Sequence, residues 1–135
     1  HFTYGLFPHN GRWNEDTISE AYALNDPLIV AANKATMPVA GGSDGAELAS
    51  FVSVDAANVV IETVKGAEDG QGIIVRLYEC QRKRGEITLT TAFPMADAWR
   101  TNLLEENQER LEVEGHQLKT SIKPYQIKTL RLSPD

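Results

Sequence analysis

Ile73-Ile74-Val75-Arg76-Leu77-Tyr78-Glu79 is the stretch whose reading decides the fold class. Successive side chains of a strand point to opposite faces. One face here carries Ile73, Val75 and Leu77, all apolar; the other carries Ile74 and Tyr78 around Arg76. A strand apolar on both faces is covered on both. The stretch therefore reads as an interior strand, central to its sheet.

The same period-2 alternation spreads outward from it. Ile87, Leu89, Thr91 and Phe93 alternate with Thr88, Thr90 and Ala92, and Leu118, Thr120 and Ile122 with Lys119, Ser121 and Lys123. Further β-rich runs are Phe2 to Phe7, Phe51 to Val54, Asn58 to Lys65 and Tyr125 to Leu132. Turn residues punctuate them at Asp69-Gly70, Gly72, Gly85 and Gly115. Many short strands at this spacing predict an all-β fold, an antiparallel β-sandwich of two packed sheets.

One segment departs from the pattern and predicts one short helix near Thr17 to Asn25. Thr17-Ile18-Ser19-Glu20 has the form of a capping box, and Ile18, Ala21 and Tyr22 fall on one helical face. Asp26-Pro27 stops it. The following Lys34 to Ala49, with Gly41-Gly42-Ser43-Asp44-Gly45 at its centre, reads as a long surface loop.

The 135 residues suffice for one domain with a core. Thirteen Lys and Arg against nineteen Asp and Glu give a net charge of −6, which argues against a nucleic-acid partner. Arg82-Lys83-Arg84 is the one basic cluster and reads as a solvated hairpin turn. The apolar stretches, such as Pro27 to Ala32, are far too short to span a bilayer, so no membrane partner is expected. A single cysteine, Cys80, fits a reducing compartment. The opening His1-Phe2-Thr3-Tyr4 is strand-like and lacks an initiator Met, as in a piece of a longer protein.

Chemistry is sparse. A glycosidase needs two carboxylates, one ionised and one protonated. Glu62 and Glu79 lie within apolar strands, but pairing with a neighbouring cation is the commoner role of such residues. His1, His9 and His116 lack metal-ligand spacing, so no cofactor is expected in this segment. The residues alone give a β-sandwich without a visible active site.

Three stretches carry a resemblance. His1-Phe2-Thr3-Tyr4-Gly5-Leu6-Phe7-Pro8-His9-Asn10-Gly11, running on into Ala21-Tyr22-Ala23-Leu24-Asn25-Asp26-Pro27-Leu28, is the first. Asn58 to Asp69 followed by Ile74-Val75-Arg76-Leu77-Tyr78-Glu79 is the second. Leu103-Leu104-Glu105 with Lys123-Pro124-Tyr125-Gln126-Ile127-Lys128-Thr129-Leu130 is the third. In this order they resemble the far C-terminal region of family 38 α-mannosidases, nearest the cytosolic-type and bacterial branch. Gly5 and Gln126 depart from the usual Ala and Glu.

The resemblance implies that residues 1–135 are the C-terminal β-sandwich of a larger enzyme whose catalytic domain is not included. The parent would be a zinc-dependent, retaining, cytoplasmic α-mannosidase that removes terminal mannose from oligosaccharides. Its zinc ligands and catalytic carboxylates would lie upstream. Expected partners are that catalytic domain, mannose-containing oligosaccharide and a second copy through the parent. His9 and Arg76 are the candidate residues for interdomain or substrate-cleft contact. Arg76, a charge within an apolar strand, is expected to pair internally with Glu62 or Glu79. A free-standing carbohydrate-binding module and a protein-interaction sandwich are the alternatives.

Overall fold

A computed structural model describes residues 3–29 and 50–135. The chain forms two compact units, His1–Leu48 and Ala49–Asp135, and each is taken by itself.

The second unit is the sandwich. Its strands are β1 (Val52–Val54), β2 (Val59–Gly66), β3 (Ile73–Glu79), β4 (Gly85–Thr91), β5 (Met95–Thr101), β6 (Asn107–Leu111), β7 (Val113–Glu114), β8 (Gln117–Ile122) and β9 (Ile127–Pro134). One sheet has four strands in the order β1-β4-β8-β7, the other five in the order β2-β3-β9-β5-β6. Every pairing is antiparallel. As the alternation predicts, β3 is interior, flanked by β2 and β9.

Val75, Leu77, Leu130 and Leu132 of the five-stranded sheet share one core cluster with Leu89 and Leu118 of the four-stranded sheet. All six are fully buried. Burial of each such side chain contributes about 1.5–3 kcal/mol. Ile74, on the opposite face of β3, is also fully buried, so this strand is covered on both sides.

The edges are protected by different means. Strand β2 carries a bulge between Ile61 and Thr63, and β6 (Asn-Gln-Glu-Arg-Leu) is polar and largely exposed. Both discourage pairing with a foreign strand. In the β2–β3 connection, Gly72 adopts φ +88, and a Cβ there would lie 2.5 Å from the Leu132 carbonyl oxygen. Only glycine allows that approach.

The Arg82-Lys83-Arg84 cluster is not a hairpin turn. Strands β3 and β4 belong to different sheets, so the chain crosses from one layer to the other there. Arg82 takes φ +60 there, and the backbone N–H groups of Gln81 and Lys83 donate to the Glu79 carboxylate.

In the first unit, helix α1 (Glu15–Asn25) begins earlier than predicted and is capped differently. Asn14, not Thr17, is the cap: its Oδ1 accepts from Thr17 N–H at 3.2 Å, and Thr17 Oγ1 accepts from Asn14 N–H at 3.2 Å. Asparagine caps at least as well as threonine, and here Thr17 closes the box from the third helical position. The expected strand at Phe2 to Phe7 is absent at residues 3–7, which carry neither helix nor strand; Phe2 lies outside the described residues. The loop read over Lys34 to Ala49 also lies outside them. Among the described residues no helix is long and apolar enough to cross a membrane.

Candidate functional site

Arg76 leaves β3 on the outer face of the five-stranded sheet and is half-buried. Its Nε donates to Thr129 Oγ1 across the β3–β9 ladder at 3.3 Å. Neither expected carboxylate meets it. Glu62 is exposed beside the β2 bulge and accepts from Thr63 Oγ1. Glu79 is buried and committed elsewhere. Its Oε1 accepts from Asn58 Nδ2 (2.9 Å), Gln81 N–H (2.7 Å) and Lys83 N–H (3.0 Å), and its Oε2 from Tyr125 N–H (2.9 Å). Burial alone would raise its pKa, but these donors outweigh burial and hold it at about 2. Glu79 is a fixed anion that ties loops together.

The ion pair expected at Arg76 is instead made by Arg131, one strand over on β9. Arg131 shares the outer face and is buried. Its Nη1 donates to Asp69 Oδ1 at 2.8 Å, to Asp69 Oδ2 at 2.7 Å and to the Gln71 carbonyl at 2.8 Å, and its Nη2 donates to the Glu105 carbonyl at 2.8 Å. The Glu105 side chain extends the network. Its Oε1 is 2.8 Å from Lys65 Nζ and its Oε2 accepts Glu68 N–H at 2.8 Å; Lys65 also pairs with Glu68. The Lys65 ammonium and then the Glu68 amide lower the Glu105 pKa. The Gln71 amide and then Arg131 lower that of Asp69.

This network floors a concave surface of about 490 Å³ bounded by Asp69, Trp99, Leu104, Glu105, Glu106 and Arg131. The indole N–H of Trp99 donates to Asp97 Oδ2 at 2.9 Å, and Arg110 Nε donates to Asp97 Oδ1 at 2.9 Å. Arg110 is the main cause of a lowered Asp97 pKa. The loop carrying Leu104 and Glu105 is shaped by Asn102, whose Oδ1 accepts the Leu104 and Glu106 amides at 3.0 Å each. Sequence reading missed β5 and β6, and with them Asp97; Glu105 entered only within the Leu103-Leu104-Glu105 resemblance, with no role assigned. The signal for Arg131 was present: Leu130-Arg131-Leu132 sets a charge within an apolar strand as plainly as Arg76 does.

Among the described residues, the carboxylates with displaced titration are Asp55, Asp69, Glu79, Asp97 and Glu105, all displaced downward. Each is therefore held ionised at neutral pH, and none has the raised pKa a catalytic acid needs. The arrangement binds charge and shapes a surface.

His9 belongs to the first unit and is exposed. Its ring stacks on Phe7, centroids 5.6 Å apart, and its Nδ1 lies 3.4 Å from the Asn10 carbonyl. His116 Nδ1 lies 3.0 Å from the Thr91 carbonyl oxygen, and His1 lies outside the described residues. Among the described residues no three His, Cys, Asp or Glu side chains converge as a metal site would require. Cys80 is buried, its thiol donating to the Asn58 carbonyl at 3.2 Å.

Comparison with known proteins identifies the strands. Residues 58–130, from the start of β2 into β9, match the model of the glycosyl hydrolases family 38 C-terminal beta sandwich domain. Alpha-mannosidase 2C1 of Mus musculus is 33% identical over 137 aligned residues, covering 97% of this chain. The Homo sapiens protein of the same name is 31% identical over the same share, and alpha-mannosidase G of Dictyostelium discoideum 27% identical over 96%. The chain spans 12% of the length of each of these relatives.

Proposed function

The chain belongs to the C-terminal β-sandwich domains of the family 38 glycosyl hydrolases, and from that premise we propose that it is a non-catalytic portion of a longer α-mannosidase. That enzyme removes terminal α-mannose from oligosaccharides in the cytoplasm. It uses zinc and a retaining mechanism, in which a carboxylate nucleophile forms a glycosyl-enzyme intermediate that water then hydrolyses. The described residues do not fit zinc, since among them no three His, Cys, Asp or Glu side chains converge.

One observation carries the reading: the family match runs across β2 to β9, most of the sandwich. The downward displacement of the buried and paired carboxylates supports a structural role. A retaining glycosidase needs a protonated carboxylic acid beside an ionised one, and these carboxylates are held as anions. In this reading the sandwich is a rigid block whose outer face, with Arg76 and the Arg131 network, meets the catalytic domain.

The reading is tested on the full-length polypeptide encoded by the gene. It should hydrolyse an aryl α-mannoside with retention of configuration, and a chelator should abolish turnover. Absence of α-mannoside hydrolysis by the folded, zinc-supplied polypeptide would contradict it.

A further inference from the structure

The described residues of the first unit carry apolar side chains that they do not themselves bury. Leu6 is 94% exposed, Leu28 99% and Ile29 91%, and no residue of α1 is buried. Single exposed aliphatics are ordinary. Fully bare aliphatics on both flanks of one helix, Leu6 before α1 and Leu28-Ile29 after it, are the kind of surface that docking covers.

The opening run has the composition of a strand apolar on both sides. Gly5 and Phe7 fall on one side of the alternation and Leu6 on the other. The first side has a cover: a Cβ at Gly5 would stand 3.3 Å from Leu24 Cδ2, so the backbone there lies against α1. Leu6, 94% exposed, has no comparable cover among the described residues. Yet residues 3–7 form no strand, because a strand needs a neighbouring strand to take its N–H and C=O groups. The pattern is present, and among the described residues the ladder partner is not.

We propose that residues 3–7 form a strand on the open edge of a β-sheet in the remainder of the longer polypeptide, and that Leu6, Leu28 and Ile29 are buried there. The inference rests on the reading that this chain is a portion of such a polypeptide, and it names the surface involved. Three observations select that occupant. The segment lies outside the residues 58–130 that match the sandwich family. The Mus musculus and Homo sapiens relatives align over 97% of this chain, so their similarity extends into the segment. The chain spans only 12% of those relatives, which leaves most of such a polypeptide available to supply the sheet. Edge addition is a common way for an extended segment to dock: backbone hydrogen bonds hold it, and alternate side chains fill pockets.

Hydrogen–deuterium exchange on the full-length polypeptide and on the 135-residue chain tests this. Amides of residues 3–7 should exchange roughly a hundredfold more slowly in the full-length polypeptide. Leu6→Asp in that polypeptide should abolish the difference and Leu6→Val should retain it. If Leu6→Asp does not fold, the wild-type comparison with Leu6→Val still decides. Equal exchange in the two proteins would overturn the proposal. So would slow exchange already present in the 135-residue chain, whether concentration-dependent, indicating a second copy, or not, indicating cover from within the chain. A parallel mannoside assay separates the two readings. Turnover with fast exchange overturns this inference alone, and slow exchange without turnover overturns the mannosidase reading alone.

Discussion

The Glu79 carboxylate accepts the backbone N–H of Tyr125 at 2.9 Å, tying the end of β3 to the turn that launches β9. Tyr125 takes φ +55, a conformation that non-glycine residues adopt only when something holds them there. Glu79 is that anchor, and the same carboxylate turns the chain out of the sheet at Gln81 and Lys83.

Glu79→Gln should therefore destabilise the sandwich by ~2–4 kcal/mol, because an amide presents N–H groups where the carboxylate accepts from N–H donors. Chemical denaturation measures it. A loss below ~0.5 kcal/mol would show that the anchor is dispensable.

The pH dependence follows from the same group. Its folded pKa of about 2 lies below the ordinary value of 4.5. A depressed carboxylate contributes stability that is fully present above the unfolded pKa and is lost as pH falls through the folded one. Wild type and Glu79→Gln should differ fully at pH 6 and converge between pH 4.5 and pH 2. A difference that stayed constant down to pH 2 would contradict the assignment.

Arg131 and Arg76 should behave differently, although both are arginines set within apolar strands on the same face. Arg131→Met leaves the Gln71 and Glu105 carbonyls without their donor and so should cost ~2–3 kcal/mol, the half-exposed Asp69 being taken up by water. Arg76→Met removes one long hydrogen bond to Thr129 and should cost less than ~1 kcal/mol. Thermal melts of the two variants decide this. Equal losses would mean that Arg76 has an internal partner of the same weight.

Val75→Asp should unfold the sandwich. Val75 is fully buried in the inter-sheet cluster, and an unpaired buried carboxylate costs several kcal/mol against a typical total of ~5–15. A nearly unchanged thermal midpoint would contradict the placement of β3.

The sandwich was legible because its core strands alternate cleanly; β3, β4 and β8 appear nearly where the pattern puts them. Strands β5 and β6 were not legible. Met95-Ala96-Asp97-Ala98-Trp99-Arg100-Thr101 mixes small, charged and aromatic residues because its outer side faces the Asp97–Arg110 and Arg131 networks rather than a core. The β6 run is polar on both faces, as an edge strand tolerates. The ionic site was half legible. A charge within an apolar strand must find a partner, and that argument holds for Arg131. At Arg76 it fails, because a half-buried guanidinium on the outer face retains access to water. Phe2 to Phe7 reads as a strand by composition but carries no ladder at residues 3–7, because pairing depends on a neighbour that local pattern cannot supply.

The central claim, that this chain is a non-catalytic part of an α-mannosidase, is tested most directly by the purified 135-residue protein itself. Its turnover of an aryl α-mannoside should be indistinguishable from buffer with zinc supplied, and elemental analysis should find well under one zinc per chain. Chelator-sensitive turnover, or one tightly held zinc per chain, would contradict the account.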